Sequence, residues 1–274
     1  MNTKKKRLVA IILFKNGNVV QSKLFKQHKV VGDPYIIIDR LSSWNADELI
    51  YLNIRPNEPI TFRQDKNSKY DYSFDKIINK VGKSAFMPLT VGGGIKTVSD
   101  AEKYFEMGAD KISINSQIYH NPKIVSECSK IFGSQSVVAS IDVGLTDNNK
   151  YAIYVDGGKK IIKNNIEDYI KNIEDVGAGE ILLNSIHKDG LANGYDLELI
   201  DIVKKVTNLP IIITGGVGNW EDFFIGSEKG VDAVAASNIF HFFENSYFEA
   251  VTHLNNKGSN FRKAKMSKIV KIKD

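Results

Sequence analysis

Two segments 122 positions apart repeat each other: Pro88-Leu-Thr-Val-Gly-Gly-Gly-Ile95 matches Pro210-Ile-Ile-Ile-Thr-Gly-Gly-Val217, and Gly108-Ala-Asp110 matches Gly230-Val-Asp232 at the same offset. An offset held through strand, loop, helix and next strand marks an internally duplicated fold. Around these segments, short apolar runs alternate with helical periodicity along the whole chain. The runs predict strands at Leu8–Leu13, Leu49–Asn53, Phe86–Val91, Lys111–Ile114, Val137–Asp142, Glu180–Asn184, Pro210–Thr214 and Ala233–Ala235. Helices are predicted near Tyr35–Asn45, Tyr72–Val81, Thr97–Met107, Asn121–Ile131, Asn165–Val176, Asp196–Val206, Asn219–Ser227 and Ser246–Asn255. Thr97 and Asn219 read as N-caps, and Gly108 and Gly230 as helix stops. Eight βα units close into a (βα)8 barrel, here of two half-barrels, and about 250 residues is an ordinary length for one. Hairpin-like insertions at Lys15–Leu24 and Tyr151–Ile162 decorate the loops after strands one and five.

The reading gives one barrel domain over residues 1–256 and a basic tail over residues 257–274. The formal charge of +5 invites a nucleic-acid partner. The tail, however, carries seven of the basic residues and one acid, so the remainder is slightly acidic and nucleic acid is not the expected partner. The tail reads as a solvated extension. A single cysteine, Cys128, precludes an intramolecular disulfide and suits a reducing compartment. Lys4-Lys5-Lys6-Arg7 ahead of Leu8–Phe14 reads as a first strand, and no run reaches the roughly 20 apolar residues of a membrane helix. A cytoplasmic protein with no membrane association is expected. The five histidines have no ligand spacing, so neither metal nor cofactor is expected.

In a parallel barrel, ligands gather at the carboxyl ends of the strands. The strand Val137-Val-Ala-Ser-Ile-Asp142 ends there on a carboxylate, which makes Asp142 the candidate catalytic group. Each half also carries a glycine pair at a strand end, Gly93-Gly94 and Gly215-Gly216. Glycine lets backbone N–H groups approach an anion, and the following helix adds its positive end. The next strand supplies short polar donors, Asn115 and Ser116 in one half, Ala236 and Ser237 in the other. Asp189-Gly190 turns beside the second pair. Two phosphate pockets on one mouth predict a small substrate with a phosphate at each end.

The runs Thr90-Val-Gly-Gly-Gly-Ile95, Gly108-Ala-Asp-Lys-Ile-Ser-Ile-Asn115, Phe132-Gly-Ser-Gln-Ser-Val-Val138, Gly177-Ala-Gly-Glu-Ile-Leu-Leu183, Asp189-Gly190, Gly194-Tyr-Asp196 and Leu209-Pro-Ile-Ile212 resemble the HisF family, the cyclase subunits of imidazole glycerol phosphate synthase. The resemblance spans about residues 5 to 262 and implies a (βα)8 TIM barrel with a HisH-like glutaminase partner at its bottom. It also implies an ammonia gate, retained here as Arg7, Glu48, Lys111 and Glu180, and a partner-signalling role for Asp110. Of the family's two catalytic aspartates, Asp142 matches one and Leu13 stands in place of the other. Leucine transfers no proton. Gln21 stands for the family's substrate-contacting lysine, Asn53 for the aspartate ending strand two, Asn184 for a threonine, and Leu191 for a polar residue after Asp189-Gly190.

An intact bottom and an altered top lead to the expectation of a HisF-like synthase subunit that delivers ammonia to a different phosphorylated or nucleotide-sugar acceptor. Acetamidino-sugar formation for surface polysaccharide, with a sugar amidotransferase as further partner, is the implied setting. The alternatives are the cyclase subunit of imidazole glycerol phosphate synthase in histidine biosynthesis, with His187 and Lys188 the only extra titratable groups near the mouth, and a non-catalytic scaffold or activator of the glutaminase. His187 is read as a solvated loop histidine.

Overall fold

The computed structural model describes residues 4–263 apart from 43, 45, 62–69, 85–86 and 243–244. Phe86, Asn45 and the tail from residue 264, all named above, lie outside the described residues. The strands are β1 (Arg7–Lys15), β2 (Asn18–Lys23), β3 (Gln27–Gly32), β4 (Glu48–Asn53), β5 (Leu89–Gly92), β6 (Lys111–Ile114), β7 (Val137–Leu145), β8 (Tyr151–Val155), β9 (Lys160–Ile161), β10 (Glu180–Ser185), β11 (Ile211–Thr214) and β12 (Ala233–Ala236). The helices are α1 (Pro34–Ser42), α2 (Phe74–Ser84), α3 (Val98–Glu106), α4 (Ser116–His120), α5 (Lys123–Phe132), α6 (Ile166–Asp175), α7 (Leu197–Lys204), α8 (Trp220–Glu228) and α9 (Ser246–Asn256).

The parallel strands run β1-β4-β5-β6-β7-β10-β11-β12 and close where β12 pairs with β1. This is the (βα)8 barrel that the alternation predicts. Strand periodicity sorts side chains onto two faces. One set, from Leu8 and Ala10 onward, packs outward beneath the helices in a large continuous core. The other set, Val9, Ile11, Ile50, Val138, Leu182, Ile212, Ala233 and Ala235, fills the barrel interior, with Leu13 and Leu52 packed at its upper end.

The duplication is exact in local chemistry. Thr97 and Asn219 each close a capping box with the aspartate three residues on, Asp100 and Asp222. Asp110 Oδ2 accepts the Leu89 N–H at 2.8 Å, and its counterpart Asp232 Oδ2 accepts the Ile211 N–H at 3.2 Å.

The insertions are more extensive than the sequence suggests. Asn16-Gly17, both at positive φ, turn β1 into β2, as an Asn-Gly pair favours. The chain then pairs again through β3, so the first insertion runs to Gly32 instead of ending at Leu24. β8 pairs with both β7 and β9, which lengthens strand five into a second ribbon above the barrel. The stretch after α9 also departs from the solvated reading as far as it is described. Phe261 is buried and bridges Lys6, while Arg262 pairs with Asp47 at 3.0 Å. Burying that phenyl ring against the first strand accounts for the return of the chain.

Candidate functional site

Asp142 stands near the top of the barrel interior on β7, 5% exposed. Asn115 Nδ2, just after β6, donates to its Oδ2 at 2.9 Å, and Asn184 Nδ2, on β10, donates to its Oδ1 at 3.0 Å. Burial pushes the carboxyl up to about 6. The two amides oppose that rise, and the nearby Asp189 carboxylate adds to it. Asp142 is thereby held in one orientation and poised to change protonation near neutral pH. Ser140, two residues earlier on the same inward face, lies 3.3 Å from Asn115 Nδ2. Sequence reading passed over Ser140, although the period-two alternation Val138, Ser140, Asp142 points it inward.

Across the mouth, β1 pairs Leu13 with Leu52 of β4, in the register in which β7 pairs Asp142 with Asn184 of β10. The side chain equivalent to Asp142 in the first half is therefore Leu13, as the repeat predicts. No carboxylate faces Asp142 from that position.

The strand starts carry the second constellation. Arg7, Glu48, Lys111 and Glu180 are the first residues of β1, β4, β6 and β10. Arg7 binds both glutamates through its two terminal nitrogens. Lys111 Nζ lies 3.2 Å from Glu48 and 2.7 Å from Glu180, and Thr90 Oγ1 donates to Glu48 at 2.8 Å. Burial works against the charge of Arg7, but Glu180 and Glu48 outweigh it and raise its pKa. Each charge thus has partners of opposite sign, which offsets the cost of removing it from water. This closed ring lies at the strand-start end of the barrel, below the apolar interior. Asp110, exposed beside Lys111, spends one carboxylate oxygen on the Leu89 N–H.

The glycine pairs take the backbone conformation that an anion cradle needs. Gly93, Gly94, Gly215 and Gly216 all have positive φ. A Cβ on Gly93 would collide with the Asn53 carbonyl, and one on Gly216 with the Gly194 carbonyl. Several polar neighbours have other work as well. Asn115 directs its amide to Asp142, and Ser116 Oγ accepts the Asp156 N–H at 2.8 Å. Asp189 accepts Ser22 Oγ at 2.6 Å and the Phe25 N–H at 3.0 Å, tying the β2–β3 turn to the loop after β10. Burial raises its pKa against those two hydrogen bonds. Gly190 has positive φ and packs against the Ser22 carbonyl. Ser237 Oγ, beside Ala236, is buried without a protein partner.

Gln21 sits on β2 opposite Lys29, Asn53 Oδ1 accepts the Arg55 N–H at 3.3 Å, and Leu191 is 36% exposed. His187 departs from the solvated reading: its Nε2 lies 3.0 Å from Asp196 Oδ2, and Asp196 also accepts the Tyr151 hydroxyl at 2.8 Å. The pKa of His187 is lowered by burial and by Lys188, with Asp196 opposing. Asp196 is buried as the N-cap of α7, where its Oδ1 also accepts the Leu199 N–H at 3.1 Å.

The family description "Histidine biosynthesis protein" matches residues 7–246. The chain belongs to that family. Within it, the chain is 38% identical over 258 residues to the imidazole glycerol phosphate synthase subunit HisF of Natranaerobius thermophilus, covering 94% of this chain and 98% of the relative. It is 38% identical over 253 residues to the HisF subunit of Dictyoglomus thermophilum, covering 92% of this chain and 96% of that one. The HisF subunit of Exiguobacterium sibiricum is 35% identical over 257 residues. The chain is thus HisF-like along nearly its whole length. Among the described residues, no helix of this HisF-like barrel is long and apolar enough to cross a membrane.

Proposed function

We propose that the chain is the synthase subunit of a HisF-type glutamine amidotransferase, receiving ammonia at the charged end of the barrel and adding it to a phosphorylated acceptor at the Asp142 end. The observation that carries this reading is the pairing of a closed Arg7–Glu48–Lys111–Glu180 ring at one end of an apolar interior with a buried, amide-held carboxylate at the other. Ammonia is small and neutral, so passage between apolar side chains costs it far less than it costs an ion. In this scheme the nitrogen lone pair attacks a carbonyl carbon of the acceptor, the C=O π pair moves onto its oxygen, and one N–H proton passes to ionised Asp142 and on to that oxygen, giving a carbinolamine. The glycine pairs hold the acceptor's phosphates, and a HisH-like glutaminase docks on the face that bears the ring and Asp110.

The HisF likeness supports the cyclase reaction of imidazole glycerol phosphate synthase as the chemistry. One observation favours a second reading with a different acceptor, such as a nucleotide sugar: Leu13 and Leu52 occupy the register positions equivalent to Asp142 and Asn184, so those two positions offer no proton-transfer group. The two are separated by supplying purified protein with ammonium salt and the phosphoribulosyl substrate of the cyclase. Turnover that disappears in Asp142→Asn establishes the cyclase. Background turnover, with stimulation of a HisH-type glutaminase that depends on Lys111, moves the acceptor elsewhere. If neither appears, the amidotransferase reading is lost.

A further inference from the structure

The side chains assigned to the first glycine pocket, Asn115 and Ser116, are uncharged, and Gln21 brings no cation to the mouth. A cation reaches this pocket from another element. The loop after β4 runs Asn53-Ile54-Arg55-Pro56, and it lies against the glycine pair. The Asn53 carbonyl abuts Gly93, and Pro56 Cβ lies 3.0 Å from where a Cβ on Gly94 would stand. From the opposite side, the β8–β9 turn reaches the same pocket through the Asp156 N–H to Ser116 Oγ bond at 2.8 Å. The Arg55 guanidinium fills the space between these two segments, close enough that Gly157 leaves no room for a Cβ beside its Nη1.

Among the described residues its charge is only partly answered. Nη1 donates to the Ile54 carbonyl at 3.3 Å, and Nε lies 3.5 Å from Glu58, which Lys15 shares at 3.8 Å. Among the described residues, the exposed Glu58 carboxylate thus serves both cations. His28 lies within the same cluster, where burial and then Lys15 and Arg55 lower its pKa, with Glu58 opposing. The Asp156 carboxylate is turned to His120, 2.9 Å away.

The duplicated half repeats the placement. Leu49 pairs with Leu89 as Ile181 pairs with Ile211, which makes Arg55 the counterpart of His187 and Pro56 that of Lys188. Accordingly Gly215 abuts the Ser185 carbonyl as Gly93 abuts that of Asn53, and Lys188 Cβ lies 3.2 Å from a Cβ built on Gly216. The loop after the neighbouring strand therefore packs on each glycine pair, through Pro56 in the first half and Lys188 in the second.

We propose that Arg55 is an anion ligand of the first glycine pocket, binding the phosphoryl group of the substrate between the strand-two loop and the Gly157 turn. The proposal rests on the phosphate-binding reading of that pocket. A guanidinium suits the role because it offers several donors in one plane to phosphate oxygens.

The test is a titration of the full-length 15N-labelled protein with inorganic phosphate, against sodium chloride at matched ionic strength, following the amide resonances of Gly94 and Asn115 and those of Gly216 and Ser237. Saturable shifts are expected at both pockets. Arg55→Gln should weaken the apparent affinity at Gly94 and Asn115 by about tenfold or more, the usual consequence of losing a charged hydrogen-bond partner. The Gly216 and Ser237 response should stay within about twofold, which also shows that the variant is folded, and Arg55→Lys should lie between. An unchanged affinity at Gly94 and Asn115 in Arg55→Gln removes Arg55 from the pocket while the pocket itself stands. Equal loss at both pockets also refutes a local role. Absence of any saturable shift at Gly94 in the unmodified protein overturns both this proposal and the phosphate reading beneath it.

Discussion

At matching depth and register, the two half-barrels put opposite chemistry into the mouth: Leu13 beside Leu52 in the first, Asp142 beside Asn184 in the second. The backbone around them is duplicated down to the capping boxes and the aspartates that bind the start of the preceding strand. At the bottom the halves agree in part, since Glu48 and Glu180 open equivalent strands, while both cations of the ring stand on the first half's β1 and β6. A barrel strand thus supplies only position and direction. The residue placed there decides whether the position transfers protons, seals a bore or packs.

The largest effect expected from disturbing this asymmetry is at Asp142. Asp142→Asn should lower product formation by about a hundredfold to ten-thousandfold with ammonium as nitrogen source, measured as initial rate with acceptor saturating. In the parent protein the rate should rise with pH through an apparent pKa near 6, because the base is the ionised form. Stability should move the other way. A carboxyl whose folded pKa lies above its ordinary 3.8 binds more protons folded than unfolded between those values. Its contribution is therefore present in acid and lost as pH rises through about 6. Asp142→Asn should remove that pH dependence, on the order of 2 to 3 kcal/mol, in urea denaturation at pH 4.5 and 7.5.

Next in size is the ring. Glu48→Ala leaves Arg7 and Lys111 with Glu180 alone and strands the Thr90 hydroxyl. The loss of stability should be about 3 to 5 kcal/mol by chemical denaturation. Glutamine-dependent product formation should fall more than ammonium-dependent formation if the ring stands on the proposed ammonia route. Equal losses with both nitrogen sources would sink the gate role and leave a structural plug.

The asymmetry at the mouth can also be rebuilt. Leu13→Asp alone places a carboxylate against Val9, Ile11 and Leu52 and should destabilise by about 1 to 3 kcal/mol. Adding Leu52→Asn supplies the donor that Asn184 gives Asp142, and the double variant should recover about 1 kcal/mol relative to additivity in a double-mutant cycle. Strict additivity would mean that the two halves are not equivalent at this level. The smallest effect tests the duplicated frame: Thr97→Ala and Asn219→Ala should each cost about 1 kcal/mol, and by similar amounts, in thermal denaturation.

Much of this architecture was legible beforehand. Strand runs, caps and the repeat rest on local periodicity and turn chemistry, which tertiary contacts did not override. The extent of the insertions was less so, because β3 forms only by pairing with β2 and its own sequence, Gln27–Gly32, carries little apolar signal. At the site, Asp142 and the glycine pairs were visible as carboxylate and glycine at strand ends. Ser140 was hidden as a small polar residue within an apolar run, and Arg55 had no motif to announce it.

By itself the sequence determined the alternating barrel, its duplication, and a leucine at position 13 where the second half carries Asp142, since each is a matter of residue order. Only the tertiary structure decided that Asn115 and Asn184 clamp Asp142, that the four charges of the strand starts close into one ring, and that Arg55 lies against the Gly157 turn. Those contacts join residues far apart in the chain. Barrel closure and strand register set their distances, and neither is encoded in any local stretch.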